Sequence, residues 1–108
     1  MSFSVHFTIK SRADLRSIHA YISKNDSSEN ADYVARGIVR TALALREFPE
    51  RGTHPPELLA KGNKTYRQLF FKRYRIVYRI RANVVYIAVI ADGRRDMKSL
   101  LMRRLANR

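Results

Sequence analysis

The chain has 108 residues, enough for one domain with one core and too few for two. It carries 22 Lys/Arg against 9 Asp/Glu, a formal net charge of +13, and no cysteine. The missing cysteine excludes a disulfide framework, a thiol nucleophile and a Cys-based metal site, and the charge points to polyanionic or acidic partners.

The first residues lack a basic flank followed by a long apolar run, so they do not read as a signal peptide. No stretch approaches the roughly 18 apolar residues of a membrane span. The expectation is a cytoplasmic protein with no membrane partner.

In chain order, Phe3, Val5, Phe7 and Ile9 alternate with Ser4, His6 and Thr8, the pattern of a half-buried strand. Ser11 is a candidate cap for a helix over 12–24, with Asp14 near its positive end and Leu15, Ile18 and Ile22 at helical spacing. The run Asn25-Asp26-Ser27-Ser28 breaks that helix and starts a second, expected to reach Phe48 before Pro49. Its stripe is Ala31, Val34, Ala35, Ile38, Thr41, Ala42 and Leu45. The short connection implies an antiparallel helical hairpin. Glu57-Leu58-Leu59-Ala60 reads as one helical turn.

Residues 64–81 read as two strands joined by a tight basic turn. Tyr74, Ile76, Tyr78 and Ile80 fall on one face, and Arg75, Val77 and Arg79 on the other. Between Lys61 and Arg81 there are eight Lys/Arg and no acid, and 14 of the 22 basic residues lie in 61–81 and 94–108. After a turn at Ala82-Asn83, the apolar run from Val84 to Ala91 reads as a central strand buried on both faces. Asp92-Gly93 stops it. Residues 94–106 read as a basic helix with Met97, Leu100, Leu101 and Leu105 on its apolar side, Asp96 near its start, and Arg103, Arg104 and Arg108 complementing its negative end. The fold class is α+β, a single domain over 1–108: an N-terminal strand, an antiparallel helical hairpin packed on a twisted, mainly antiparallel sheet, and a short C-terminal helix. The second sheet face is expected to be partly open, with Arg75 and Arg79 pointing towards it and Arg67 nearby.

Residues for catalysis are sparse. His6, His19 and His54 have no metal-ligand spacing, the glycines form no phosphate-cradling pattern, and no acidic set suggests a metal. No cofactor or metal is expected. What remains is binding by arginine, or metal-free chemistry in which arginine stabilises developing charge on phosphate. Glu57 is a candidate general base if it lies near Arg75; otherwise it caps a loop helix or pairs with an arginine.

The helix onset Ser11-Arg12-Ala13-Asp14-Leu15, the Pro49-Glu50-Arg51-Gly52 turn, the Pro56-Glu57-Leu58 segment, the block from Tyr66-Arg67-Gln68-Leu69 to Arg73-Tyr74-Arg75-Ile76-Val77-Tyr78-Arg79, and Asp92-Gly93-Arg94-Arg95-Asp96 together resemble the RelE/ParE toxin superfamily. The resemblance covers nearly the whole chain. It implies a toxin of a type II toxin–antitoxin module, neutralised by an acidic, partly disordered antitoxin. Within the superfamily RelE-like members cleave mRNA on the ribosome without metal, and ParE-like members poison DNA gyrase. On the ribonuclease reading, Arg75, Arg67 and Glu57 are the catalytic candidates. Arg67, Arg75, Arg79, Arg94, Arg95, Arg103 and Arg104 are the binding candidates, for RNA or an acidic antitoxin on the sheet and, on the gyrase reading, for gyrase at the C-terminal basic segment and exposed sheet edge. No Tyr or His follows Tyr86, where the nucleases offer one, so the resemblance leans towards ParE and an inhibitor of replication rather than an enzyme.

Overall fold

The computed structural model describes residues 3–105. Strand β1 is Ser4–Phe7, helix α1 is Ile9–Asn25 and helix α2 is Ser28–Leu43, followed by a 3-10 turn at Ala44–Arg46. A single helical turn, α3, is Pro56–Leu59; then come β2 (Tyr66–Phe71), β3 (Tyr74–Arg81), β4 (Val84–Asp92) and α4 (Met97–Leu105). The four strands form one sheet in the order β1-β4-β3-β2. The β2–β3 and β3–β4 pairs are antiparallel, and β1 lies parallel to β4. The α+β class and element order agree with the sequence reading.

The helical hairpin covers one face of the sheet. Ala31, Val34, Ile38, Ala42 and Leu45 of the second-helix stripe meet Ile76, Tyr78, Val85, Ile87 and Ile90 in one buried cluster, with Tyr74 and Ile80 at its margin. Each fully buried aliphatic side chain contributes about 1.5–3 kcal/mol here. A Cβ at Gly37 would run into the ring of Phe71, so the glycine is what lets β2 lie against α2.

The second face is less open than expected. Leu58 of α3 and Met97, Leu100, Leu101 and Leu105 of α4 pack on Val77, Val89 and Ala91. The cause is visible in β4, whose continuous apolar run needs cover on both sides. The apolar side of α4 supplies it.

Element ends differ from expectation for local reasons. α1 begins at Ile9, capped by Thr8, whose hydroxyl accepts from Ser11 N at 3.1 Å; Ser11 is buried inside the first turn and is not the cap. α2 stops at Leu43, where the chain tightens into 3-10 geometry, and Phe48 is left exposed. α4 begins at Met97 behind Asp96, whose carboxylate accepts from Ser99 N at 3.1 Å. The expected extension of α4 to residue 106 and the dipole role of Arg108 lie outside the described residues.

Asp14 does not serve the α1 terminus. Val77 of β3 faces Val89, while Tyr78 faces Ile87, so Ala88 is an extra residue that bulges β4. β1 pairs with β4 only as far as Ile87. Beyond that point two side chains replace the missing strand. Asp14 accepts from Ile90 N at 3.0 Å, and Arg104 donates to Ala88 O at 2.9 Å. Arg104 also reaches both Asp14 oxygens, at 3.0 and 3.1 Å. This joins α1, β4 and α4 at one point.

Candidate functional site

β3 carries Arg75 and Arg79 on the same face, but their surroundings differ. Arg75 is 6% exposed. Its Nε donates to Gln68 Oε1 at 2.8 Å, and its two Nη atoms donate to the two carboxylate oxygens of Glu57, each at 2.8 Å. Pro56 opens α3 at a position where its missing N–H costs nothing, and this turn aims Glu57 at the sheet. The Arg75 guanidinium holds the Glu57 carboxyl below its ordinary value, by direct hydrogen bonding against a smaller opposing effect of burial. The pairing anticipated for Glu57 is therefore present, in the planar two-point form suited to Arg and carboxylate.

Arg67 lies elsewhere. It is opposite Tyr78, on the helical-hairpin face, and not beside Arg75. The reason is strand parity: Arg67 shares a face with Leu69 and Phe71, which pack on the hairpin. Its Nη1 donates to Gly52 O at 2.8 Å and to Glu50 O at 3.2 Å. Tyr78 completes the same anchor, donating to Pro49 O at 2.7 Å and accepting from Gly52 N at 3.0 Å. Burial pushes the Tyr78 phenol above its usual value, which keeps it a donor. Arg67 and Tyr78 thus fix the loop after α2.

Arg79 occupies the accessible part of the second face. In the strand register it stands between Tyr66 of β2 and Tyr86 of β4, and Tyr86 in turn stands opposite His6 of β1. One row crosses all four strands. The Arg79 guanidinium lies 5.6 Å from the Tyr66 ring centroid, and His6 meets Tyr86 edge-on at 5.6 Å.

The C-terminal arginines divide. Arg94 is solvent-facing and pairs with Asp92 at 2.8 Å, holding that carboxyl below its ordinary value. Arg95 and Arg103 are exposed. Arg104 is committed to Asp14 and Ala88. The structure therefore joins Glu57 with Arg75, but disperses Arg67, Arg79 and the C-terminal set over different surfaces. No group of three or more His, Cys, Asp or Glu close enough to hold a metal occurs among the described residues. No described helix is long and apolar enough to cross a membrane.

The family model for the ParE toxin of the type II toxin–antitoxin system parDE matches residues 5–97, from β1 to the first residue of α4. The chain belongs to this ParE toxin family. A chain of the chromosomal ParDE system of P. aeruginosa superposes with a TM-score of 0.71 at 20% identity, covering 84% of this chain and 96% of the other. The RelBE2 toxin–antitoxin complex of Mycobacterium tuberculosis contains a chain with a TM-score of 0.60 at 20% identity, covering 85% and 92%. A mutant of the E. coli toxin RelE in the free state gives 0.65 at 13% identity, covering 97% and 99%. At these identities the structural likenesses establish the shared fold. No curated protein matches the chain significantly in sequence.

Two features of this ParE-family surface escaped the sequence reading. The Asp14–Arg104 contact joins residues 90 positions apart, and nothing local marks it. The cross-strand row depends on placing β1 beside β4. Alternation in β1 and β3 put His6 and Arg79 on polar faces, but pairing them needed the sheet order.

Proposed function

We propose that this toxin acts by inhibiting DNA gyrase, and so replication, and that a cognate acidic antitoxin neutralises it in the cytoplasm. The observation that carries this reading is the two-point contact of Glu57 with buried Arg75. A ribonuclease built on these residues needs the Arg75 charge free for a scissile phosphate and Glu57 as a base. Here each neutralises the other. A carboxylate held below its ordinary value is also a weaker base. The sequence adds that no Tyr or His follows Tyr86 to act as the general acid.

The antitoxin reading is supported by the charge of +13 and by exposed aromatic rings, Tyr21 at 70% and Tyr33 at 51%. A groove of about 860 Å3 between α1 and the ends of β3 and β4 is lined by Tyr21, Ile22, Lys72, Arg73, Arg94 and Arg95 among others. Asp14, Asp26 and Asp92 also line it, and Arg94 is paired with Asp92, but Lys72, Arg73 and Arg95 form no ion pair among the described residues. Such cations beside apolar surface suit an acidic segment that orders on binding. Two of the structural relatives are themselves described as toxin–antitoxin systems.

The test uses purified gyrase and a purified translation system side by side. The expected result is lost supercoiling or trapped cleavage complexes with mRNA intact. Cleaved mRNA with unaffected supercoiling overturns the proposal and makes the chain a ribosome-dependent endoribonuclease.

A further inference from the structure

The row Tyr66–Arg79–Tyr86–His6 floors a cleft of about 770 Å3, rimmed by Lys10, Arg81 and Arg104. No acidic residue lines it among the described residues. The cleft lies at the far end of β3 from the Arg75–Glu57 pair.

Two properties indicate a ligand. The first is an unmet hydrogen bond. Arg79 Nε is buried and has no partner among the described residues, a rare and costly condition for a charged donor. Arg79 lines the cleft and is half-buried as a residue, so an acceptor there reaches its guanidinium, and a small turn of the side chain brings Nε to it. The second is the mixture of side chains. Lys10 and Arg81 add exposed positive charge at the rim. Arg104 is held by Asp14, so it shapes the wall and is not free to bind. Between these cations stand the half-buried Tyr86 ring and the exposed His6 ring. An acidic peptide uses the cations but has no use for a ring platform. A ligand with a flat ring and an attached phosphate uses both: the phosphate accepts from Arg79, and the ring stacks on Tyr86 while His6, which stands edge-on to Tyr86, flanks it.

We infer that this cleft binds a nucleoside phosphate, with Arg79 and Arg81 on the phosphate, Tyr86 beneath the base and His6 at its edge. The size is appropriate, since ligand clefts of about 300–1,000 Å3 hold molecules of this class. The unit comes either as a free nucleotide or as one residue of a single strand. The inference does not rest on the gyrase reading: an inactive toxin in the supercoiling assay leaves it standing.

The experiment is titration of the purified full chain with AMP, inorganic phosphate, adenosine, and adenine tetranucleotides of RNA and DNA, followed by NMR shifts of the His6, Arg79 and Tyr86 amides. AMP is expected to bind more tightly than adenosine or phosphate alone. Arg79→Gln should weaken AMP by about tenfold or more, and Tyr86→Leu should lower the AMP preference over inorganic phosphate by about tenfold. Lys24→Gln, remote from the cleft, should leave binding unchanged. A tetranucleotide that binds tighter than AMP, with a salt dependence that grows with length, identifies a strand as the source; equal binding identifies free nucleotide. The proposal is overturned if AMP and the tetranucleotides leave the three amides unmoved. It is also overturned if a glutamate-rich peptide competes fully and Tyr86→Leu has no effect. The shifts of the unmodified chain decide the matter if either variant fails to fold.

Discussion

Glu57 and Arg75 meet end to end, each carboxylate oxygen accepting from one terminal guanidinium nitrogen at 2.8 Å. The arginine side chain is 7% exposed and the glutamate 23%, so the pair lies at the edge of the second core and not on the open surface. Removing one partner leaves a charge with nowhere to go. Glu57→Gln is expected to lower stability by about 3 kcal/mol, while Glu57→Gln combined with Arg75→Met should recover most of that loss. Urea denaturation of the four chains measures the coupling. Independent, additive losses would show that the contact has no energetic role.

The same pair sets an acid limit. Arg75 holds the Glu57 carboxyl below its ordinary value of 4.5. For a depressed carboxyl the stabilisation is complete above the unfolded value and is lost as pH falls through the folded one. Thermal stability should therefore drop as pH falls below 4.5, and Glu57→Gln should flatten that part of the curve. Parallel curves for the two chains would remove Glu57 from the acid response.

At the opposite side of the second core, Asp14→Asn should cost about 2–4 kcal/mol, because Arg104 is then left partly buried without its counter-charge. Arg104→Lys should rescue poorly, since an ammonium cannot reproduce the fork that serves Asp14 and Ala88 O together. The measurement is chemical denaturation, with the backbone resonances of α4 as a local probe. Full stability in the lysine variant would mean that charge alone suffices.

Tyr78→Phe removes one hydroxyl and strands two backbone groups, Pro49 O and Gly52 N. The expected loss is about 1–3 kcal/mol, with faster proteolysis in the loop after α2. Gly52→Ala should act at the same place, because a Cβ there would sit 2.6 Å from both Gln68 O and the Tyr78 hydroxyl.

Ala82 turns the chain between β3 and β4 with φ at 54°, and it is exposed. Ala82→Gly should raise stability by about 0.5–1 kcal/mol, since relief of the left-handed strain outweighs the added freedom of the unfolded chain. A lower melting temperature for this variant would place the strain elsewhere.

The elements that could be read in sequence are those with a strong local period. The α2 stripe, the Tyr74-Ile76-Tyr78-Ile80 face and the apolar side of α4 all lie where their spacing puts them. The end of α2 was less legible, because Pro49 marks only the latest possible stop and the helix tightens before reaching it. The site was legible by residue type and not by arrangement. The β2–β3 register sets Arg67 opposite Tyr78, so the two-residue alternation of β3 puts Arg67 and Arg75 on opposite faces, which grouping them by charge passed over. The burial of Arg75 depended on α3 folding back over the sheet, which no periodicity reports.

The bulge at Ala88 carries a further consequence. Where β1 ends, a carboxylate from one helix and a guanidinium from another occupy the backbone positions of β4. Opening α4 withdraws Arg104 from the sheet and removes the counter-charge that positions Asp14 on the Ile90 amide, so loosening one layer weakens a contact of the other. Hydrogen exchange at the Ile90 amide should quicken as α4 undocks, because its acceptor Asp14 is held by Arg104, 90 residues away in sequence. The two hydrophobic layers thus share one polar link, and the docking of the C-terminal helix is sensed from the first turns of α1.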